Sequence, residues 1–75
     1  MITIKERIAK LRQESGMTQE AVARIAGISQ SHWGMIELGV TKAPKANTLQ
    51  NMARALGVTL PQLLEDVDFI NEVNK

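Results

Sequence analysis

The chain has 75 residues and a net charge of only +1, which fits a single domain with a small core. The absence of cysteine excludes disulfide bonds and thiolate metal sites, and a single histidine cannot by itself hold a structural zinc ion. No apolar run approaches the roughly 20 residues that cross a bilayer, and charges interrupt the N-terminal segment that a secretory signal would occupy. We therefore expect a cytoplasmic protein with no metal, no cofactor and no membrane association.

The first half of the chain predicts two helices with recognisable ends. Thr3 and Glu6 have the spacing of a capping box and predict the start of a first helix, which Gly16 ends. Thr18 can cap a second helix, and Gly27 can adopt the positive φ that ends it. The apolar residues predicted to face inward on these two helices are Ile4, Ile8, Leu11, Val22, Ile25 and Ala26.

The second half predicts three further helices and no strand, because a sustained alternation of apolar and polar residues is missing. Ser29 can cap a third helix that runs through Leu38, and Asn47 can cap a fourth over residues 48–56. Thr59 can cap a fifth. The sequence therefore predicts an all-α fold of five short helices.

The charges are unevenly distributed along these helices. Residues 1–64 carry eight Lys and Arg against four Glu, a net charge of +4, whereas residues 65–75 carry a net charge of −3. A basic body with an acidic tail suits nucleic-acid binding by the body. The alternative is the solvated surface of an ordinary protein.

The most informative segment is QEAVARIAGISQSHWGMIEL, residues 19–38. Its two predicted helices are joined by a short turn that contains Gly27, which is the signature of a helix-turn-helix. Ala23 is small where the two helices would cross. Trp33 falls in phase with Ile36, which places the indole in the core rather than on a base-stacking surface.

The chain resembles the phage repressor and Cro family of helix-turn-helix proteins, also called the lambda-repressor-like or XRE family, in the segments IKERIAKLRQESGMTQEAVARIAGIS, SQSHWGMIELG and TLQNMARALGVTLPQLL. The resemblance implies a compact five-helix bundle in which the second and third helices bind DNA. It divides the chain into a DNA-binding domain, residues 1–65, and an acidic tail, residues 66–75. The chain departs from the family pattern at Trp33, where the family usually has Ile or Val, and in a slightly longer loop after Gly39.

The outward face of the third helix is predicted to read DNA bases. The residues assigned to it are Gln30, Ser31, Gly34 and Met35. A glutamine can form two hydrogen bonds with adenine, a methionine can contact a thymine methyl group, and a glycine lets the backbone approach closely. The alternatives are a solvated Gln30, a Ser31 that bonds a phosphate, and a Met35 that folds back onto Trp33.

A second set of residues is predicted to bind the DNA backbone, namely Arg12, Gln19, Thr41, Lys42, Lys45 and Asn47. The resemblance implies that Gln19, at the start of the second helix, clamps a phosphate, where the helix dipole favours an anion. It also implies an ion pair between Arg12 and Glu37 that orients the arginine toward phosphate. The loop residues should follow the edge of the groove. The alternative for them and for Arg12 is a solvated residue.

An apolar stripe at helical spacing begins in the predicted fifth helix and continues past Leu64, where the resemblance to the family ends. Its residues are Leu60, Leu63, Leu64, Val67, Ile70 and Val73. This stripe predicts that the fifth helix extends into the tail and packs against a two-fold mate through Leu63, Val67, Ile70 and Val73. The alternative is that residues 66–75 fray as an acidic tail.

We expect a sequence-specific regulator that binds double-stranded DNA, a Cro-like repressor that recognises a palindromic operator as a dimer and takes no small-molecule ligand. Two alternatives stay open. The first is the antitoxin of a toxin–antitoxin pair, in which the acidic tail would neutralise the toxin, and the second is a protein-interaction module that has lost DNA binding. An enzyme is not expected, because the sequence has no Gly-rich phosphate loop and no nucleophile with a plausible base.

Overall fold

The computed structural model describes residues 2–41 and 44–67, and these residues fold into five helices. The helices are α1 (Ile4–Ser15), α2 (Gln19–Ala26), α3 (Gln30–Leu38), α4 (Ala46–Ala55) and α5 (Leu60–Leu63). The extended structure within the described residues is one parallel β-bridge, between Ile2 and Val67. The predicted all-α fold is confirmed. None of the described helices has the length and apolar character needed to span a bilayer.

Four of the five helices begin at the caps that the sequence predicts. The hydroxyls of Thr3, Thr18, Ser29 and Thr59 each accept a hydrogen bond from the backbone amide three residues ahead. Thr3 also forms the predicted capping box with Glu6. These bonds satisfy amides that the first turn would otherwise leave unpaired, so short sequence patterns are enough to locate the helix starts.

The start of α4 differs from the prediction. The helix begins at Ala46 after Lys45, which has an extended backbone and provides no side-chain cap. The Lys45 carbonyl accepts the Leu49 amide at 3.0 Å, so the first turn is held by the backbone ladder and by the buried side of the helix. Asn47 therefore lies inside the first turn with an exposed side chain and is not the cap.

The core is built around Trp33 of α3, which is fully buried. Helix α2 packs against α3 and α4, and α1 packs against α3. The buried side chains at these three helix–helix contacts belong to one apolar cluster. Its other buried members are Ile4, Ile8, Val22, Ala23, Ala26, Ile36, Leu49, Met52, Ala53, Ala55, Leu63 and Val67. The prediction that Trp33 is a core residue is confirmed.

Ile25 does not take the inward position that the sequence predicts. Val22 and Ala26, four residues apart, fill the buried side of α2, and Ile25 is left 49% exposed. The helix has only eight residues, and its buried sector is limited to the side that meets α3 and α4. An apolar residue at the edge of that sector therefore stays in contact with solvent.

The chain after α5 turns back rather than continuing as a helix. The helix ends at Leu63, Asp66 adopts a left-handed φ of 63°, and the Ile2 amide donates to the Asp66 carbonyl at 2.9 Å. This turn directs Val67 into the core, where Leu63 is also buried. The predicted helical extension is therefore wrong over these residues, and Leu63 and Val67 are not available to a dimer partner. The other two predicted dimer residues, Ile70 and Val73, lie outside the described residues.

Candidate nucleic-acid interface

The carboxylate of Glu37 joins three helices through hydrogen bonds. Arg12 of α1 donates from Nε to Oε2 at 2.6 Å and from Nη2 to Oε1 at 3.1 Å. Gln19 of α2 donates from Nε2 to Oε1 at 3.1 Å, and the indole N–H of Trp33 donates to Oε2 at 2.5 Å. We call Glu37, Arg12, Gln19 and Trp33 the Glu37 cluster. It fixes the start of α2 and the end of α1 against α3.

The Glu37 cluster is largely shielded from solvent, which strengthens its electrostatic interactions. The Glu37 side chain is 8% exposed and that of Arg12 is 17% exposed. Burial favours the neutral carboxyl, but the hydrogen bonds from Arg12, Trp33 and Gln19 and the arginine charge outweigh it, so the pKa of Glu37 lies below its usual range. The hydrogen bond to Glu37 raises the pKa of Arg12 despite its own burial. Both groups are therefore charged at neutral pH.

Arg12 is held on both sides of its guanidinium. Besides its two bonds to Glu37, it donates from Nη1 to the Met17 carbonyl at 3.0 Å, just before α2 begins. The ion pair that the family resemblance implies between Arg12 and Glu37 is thus present in the structure.

The predicted base-reading residues share the outward side of α3. Gln30 and Ser31 are exposed in its first turn, and Met35 is 41% exposed. Gly34 lies next to Gln19, because a Cβ built on it would meet the Gln19 Oε1 atom at 3.5 Å, an ordinary contact distance. Gly34 thereby connects the outward face of α3 with the start of α2, and the two predicted contact regions form one surface.

A cleft of about 480 Å³ lies beside this surface, between α3 and the start of α4. Its lining residues are His32, Thr41, Pro44, Lys45, Asn47 and Thr48. The cleft brings together three of the four predicted loop contacts with His32, which is not among the predicted contact residues. The fourth, Lys42, lies outside the described residues.

Sequence reasoning also missed two apolar residues at the end of α3. Leu38 is 74% exposed and Val40 is 68% exposed. Leu38 follows Gly34 by four residues and Ser31 by seven, so it lies on the same side of the helix. The sequence contains this spacing, although it predicts Leu38 only as the last residue of the third helix.

Comparison with known proteins gives a family match over most of the described chain. Residues 8–63 match the helix-turn-helix family model. The chain is 39% identical over 67 residues to the HTH-type transcriptional regulator DdrOP3 of Deinococcus deserti, and these cover 89% of this chain and 51% of that protein. It is 40% identical over 60 residues to the HTH-type transcriptional regulator y4dJ of Sinorhizobium fredii, covering 80% of this chain and 77% of that protein.

A third relative is the HTH-type transcriptional repressor RghR of Bacillus subtilis. The identity is 29% over 75 residues, which are 100% of this chain and 56% of that protein. The chain thus spans about half the length of DdrOP3 and of RghR. By its family match and its relatives, the chain belongs to the XRE-type helix-turn-helix family.

Proposed function

We propose that this chain is a sequence-specific regulator that binds double-stranded DNA, and that it acts as a Cro-like repressor without enzymatic activity. The observation that carries the proposal is the Glu37 cluster, which holds Gln19 at the start of α2 beside Gly34 on the outward face of α3. A helix start that favours phosphate and a helix face that can enter the major groove are thereby fixed in one surface. The name of RghR, a transcriptional repressor, supports repression as the outcome.

The roles within this surface follow from side-chain chemistry. Gln30 reads adenine, Ser31 contacts a base or a phosphate, Gly34 allows close approach, and Met35 contacts a thymine methyl group. Arg12 and Gln19 bind phosphates on one side of the groove. On the other side, Thr41, Lys45 and Asn47 bind the backbone from the cleft beside His32. Lys42, which follows Thr41 in the sequence, is proposed to bind it as well.

The protein acts as a homodimer at a palindromic operator. Two copies with their α3 helices about 34 Å apart would read two half-sites one DNA turn apart. Leu63 and Val67 belong to the core of their own chain, so the contact between copies uses other residues. Ile70 and Val73 stay candidates for that contact.

The backbone contacts are tested by the salt dependence of binding to duplex DNA. Replacing Lys45 with alanine should weaken all duplexes about equally and reduce the slope of log affinity against log salt by about one unit, because one phosphate contact no longer releases a counterion. Lys45 is exposed and provides no side-chain cap, so the fold is expected to stay intact. The measurement is fluorescence anisotropy of labelled duplexes over a range of salt concentrations.

The matched control is Arg54→Ala, which removes one exposed positive charge from the same helix about 13 Å further along its axis. Its salt slope should equal that of the wild type. Equal slopes for wild type and Lys45→Ala would show that Lys45 makes no contact with a phosphate. A wild-type chain that binds no duplex at any salt concentration would contradict the proposed function itself.

A further inference from the structure

The outward face of α3 becomes apolar toward its end. Met35 and Leu38 of α3 are exposed by 41% and 74%, and Val40, two residues after the helix ends, is exposed by 68%. The fourth large hydrophobic residue exposed in the described chain, Ile25, lies on α2. Exposed apolar residues gathered at one end of one helix indicate a surface that is covered in use, whereas single scattered ones need no explanation.

This apolar end is continuous with the proposed base-reading surface. At 3.6 residues per turn, Leu38 lies on the helix face between Gly34 and Ser31 and therefore at the centre of the outward side. The backbone beyond it is fixed, because the amides of Val40 and Thr41 both donate to the Met35 carbonyl, at 2.9 and 3.3 Å. Gly39 makes this turn at a φ of +84°, and a Cβ there would lie 2.9 Å from the Lys5 side chain.

The hydrogen-bonding groups of α3 restrict which bases it can read. All of α3 is described, and its outward face has no Lys or Arg that could donate to the two acceptors of guanine. The carboxylate that could accept from cytosine, Glu37, is already bound by Arg12, Gln19 and Trp33. The readers left on this face are the Gln30 amide, which suits adenine, the Ser31 hydroxyl, which fits either kind of pair, and apolar side chains, which suit the thymine methyl group.

We propose that Leu38 and Met35 recognise thymine methyl groups, and that each half-site is specified at the positions facing α3 mainly by A·T pairs. The proposal rests on the proposed function and adds a specificity-determining residue, Leu38, and a class of operator to it. Val40 adds a third exposed apolar side chain just beyond the end of α3. The recognised group in this proposal is the C5-methyl of thymine. Uracil presents the same hydrogen-bonding groups without that methyl, so replacing thymine with uracil removes only this contact.

The test uses duplexes selected by the wild-type protein from a random library and rebuilt with deoxyuridine in place of single thymidines. Loss of a contacted methyl group should weaken binding about fourfold per position, whereas substitution outside the half-sites should change nothing. In Leu38→Ala, the ratio of the affinities for the thymine and uracil duplexes should fall toward one at the position that Leu38 contacts. The control is Ile25→Ala, which removes an exposed apolar side chain from α2 and should retain the full discrimination.

The outcomes separate this inference from the function on which it rests. Duplexes selected and bound equally well with uracil, or half-sites dominated by G·C pairs facing α3, would overturn the inference while leaving DNA binding intact. An unchanged thymine-to-uracil ratio in Leu38→Ala, accompanied by a change in the oligomeric state, would assign Leu38 to a protein contact and also overturn it. A library from which no duplex is selected would overturn both proposals.

Discussion

Replacing Trp33 with alanine is expected to lower the free energy of unfolding by about 3–5 kcal/mol, the range for removing a large aromatic side chain from a core. Trp33 is the largest of the fully buried side chains and lies where α3 meets its neighbours. The change would also remove a donor from the Glu37 carboxylate. For a domain this small we expect a free energy of unfolding of about 5 kcal/mol, the lower end of the range common to folded proteins. The variant should therefore be close to unfolded at room temperature.

The measurement is urea denaturation followed by far-UV circular dichroism, since the variant lacks the single tryptophan of the chain as a fluorescent probe. Trp33→Phe is the control, because it retains an aromatic ring but loses the indole N–H, and its loss of stability should be smaller. If Trp33→Ala unfolds at the urea concentration of the wild type yet no longer binds DNA, then Trp33 is a contact residue and the assignment to the core is wrong.

The second large effect is expected at Glu37. Replacing Glu37 with alanine leaves the Arg12 guanidinium, Gln19 and Trp33 without their shared acceptor. Breaking a fully buried ion pair costs about 3–5 kcal/mol, and this pair is partly buried. The loss should lie near the lower end, because Arg12 is 17% exposed and can recover some hydration. Glu37→Gln retains the size and an acceptor oxygen but not the charge, and should lose less than Glu37→Ala. Urea denaturation of the three proteins side by side measures both differences.

The pH dependence of stability gives a separate test of the Glu37 cluster. The folded-state pKa of Glu37 lies below the unfolded value of about 4.3, so its ionised form stabilises the fold fully above that value and the contribution is lost as the pH falls through the folded-state pKa. The difference in unfolding free energy between wild type and Glu37→Gln should therefore shrink as the pH falls below about 4. A difference that stays constant or grows on acidification would show that the carboxylate charge contributes nothing.

The sequence predicted the features that depend on neighbouring residues. The caps at Thr18, Ser29 and Thr59 were correct because each uses a hydroxyl and an amide three residues apart. The inward position of Ile25 was wrong because it depends on how far α3 and α4 extend around a short helix. The cap at Asn47 was wrong because backbone bonds and packing start α4 without a side-chain cap.

The C-terminal stripe shows a different limit of sequence reasoning. The spacing of Leu63 and Val67 is compatible with a continuous helix and equally with a chain that folds back onto its own core. The left-handed turn at Asp66 and the bridge from Val67 to Ile2 show that the chain folds back onto its own core. Neither feature can be recognised from a local sequence pattern. The pairing joins residues at opposite ends of the described chain, so only the folded structure reveals it.

The candidate site was predictable in part. The outward positions Gln30 and Ser31 followed from helical spacing around the buried Trp33. The pairing of Arg12 with Glu37, 25 residues apart, came from the family resemblance and not from spacing. The spacing of Trp33 and Glu37, four residues apart on α3, allows the indole bond but does not predict it, because the bond depends on the orientation of the ring and the family usually has an aliphatic residue at that position.

The central claim is that the outward face of α3 reads duplex DNA, and selection of binding sites from a random duplex library tests it most directly. The wild type should enrich a palindromic motif whose half-sites are one DNA turn apart, and Gln30→Ala should lose preference at one base position in each half-site. Gln50→Ala, which changes an exposed glutamine of α4, should enrich the wild-type motif unchanged. A motif that is identical for the wild type and Gln30→Ala, or no enriched motif at all, would contradict the claim.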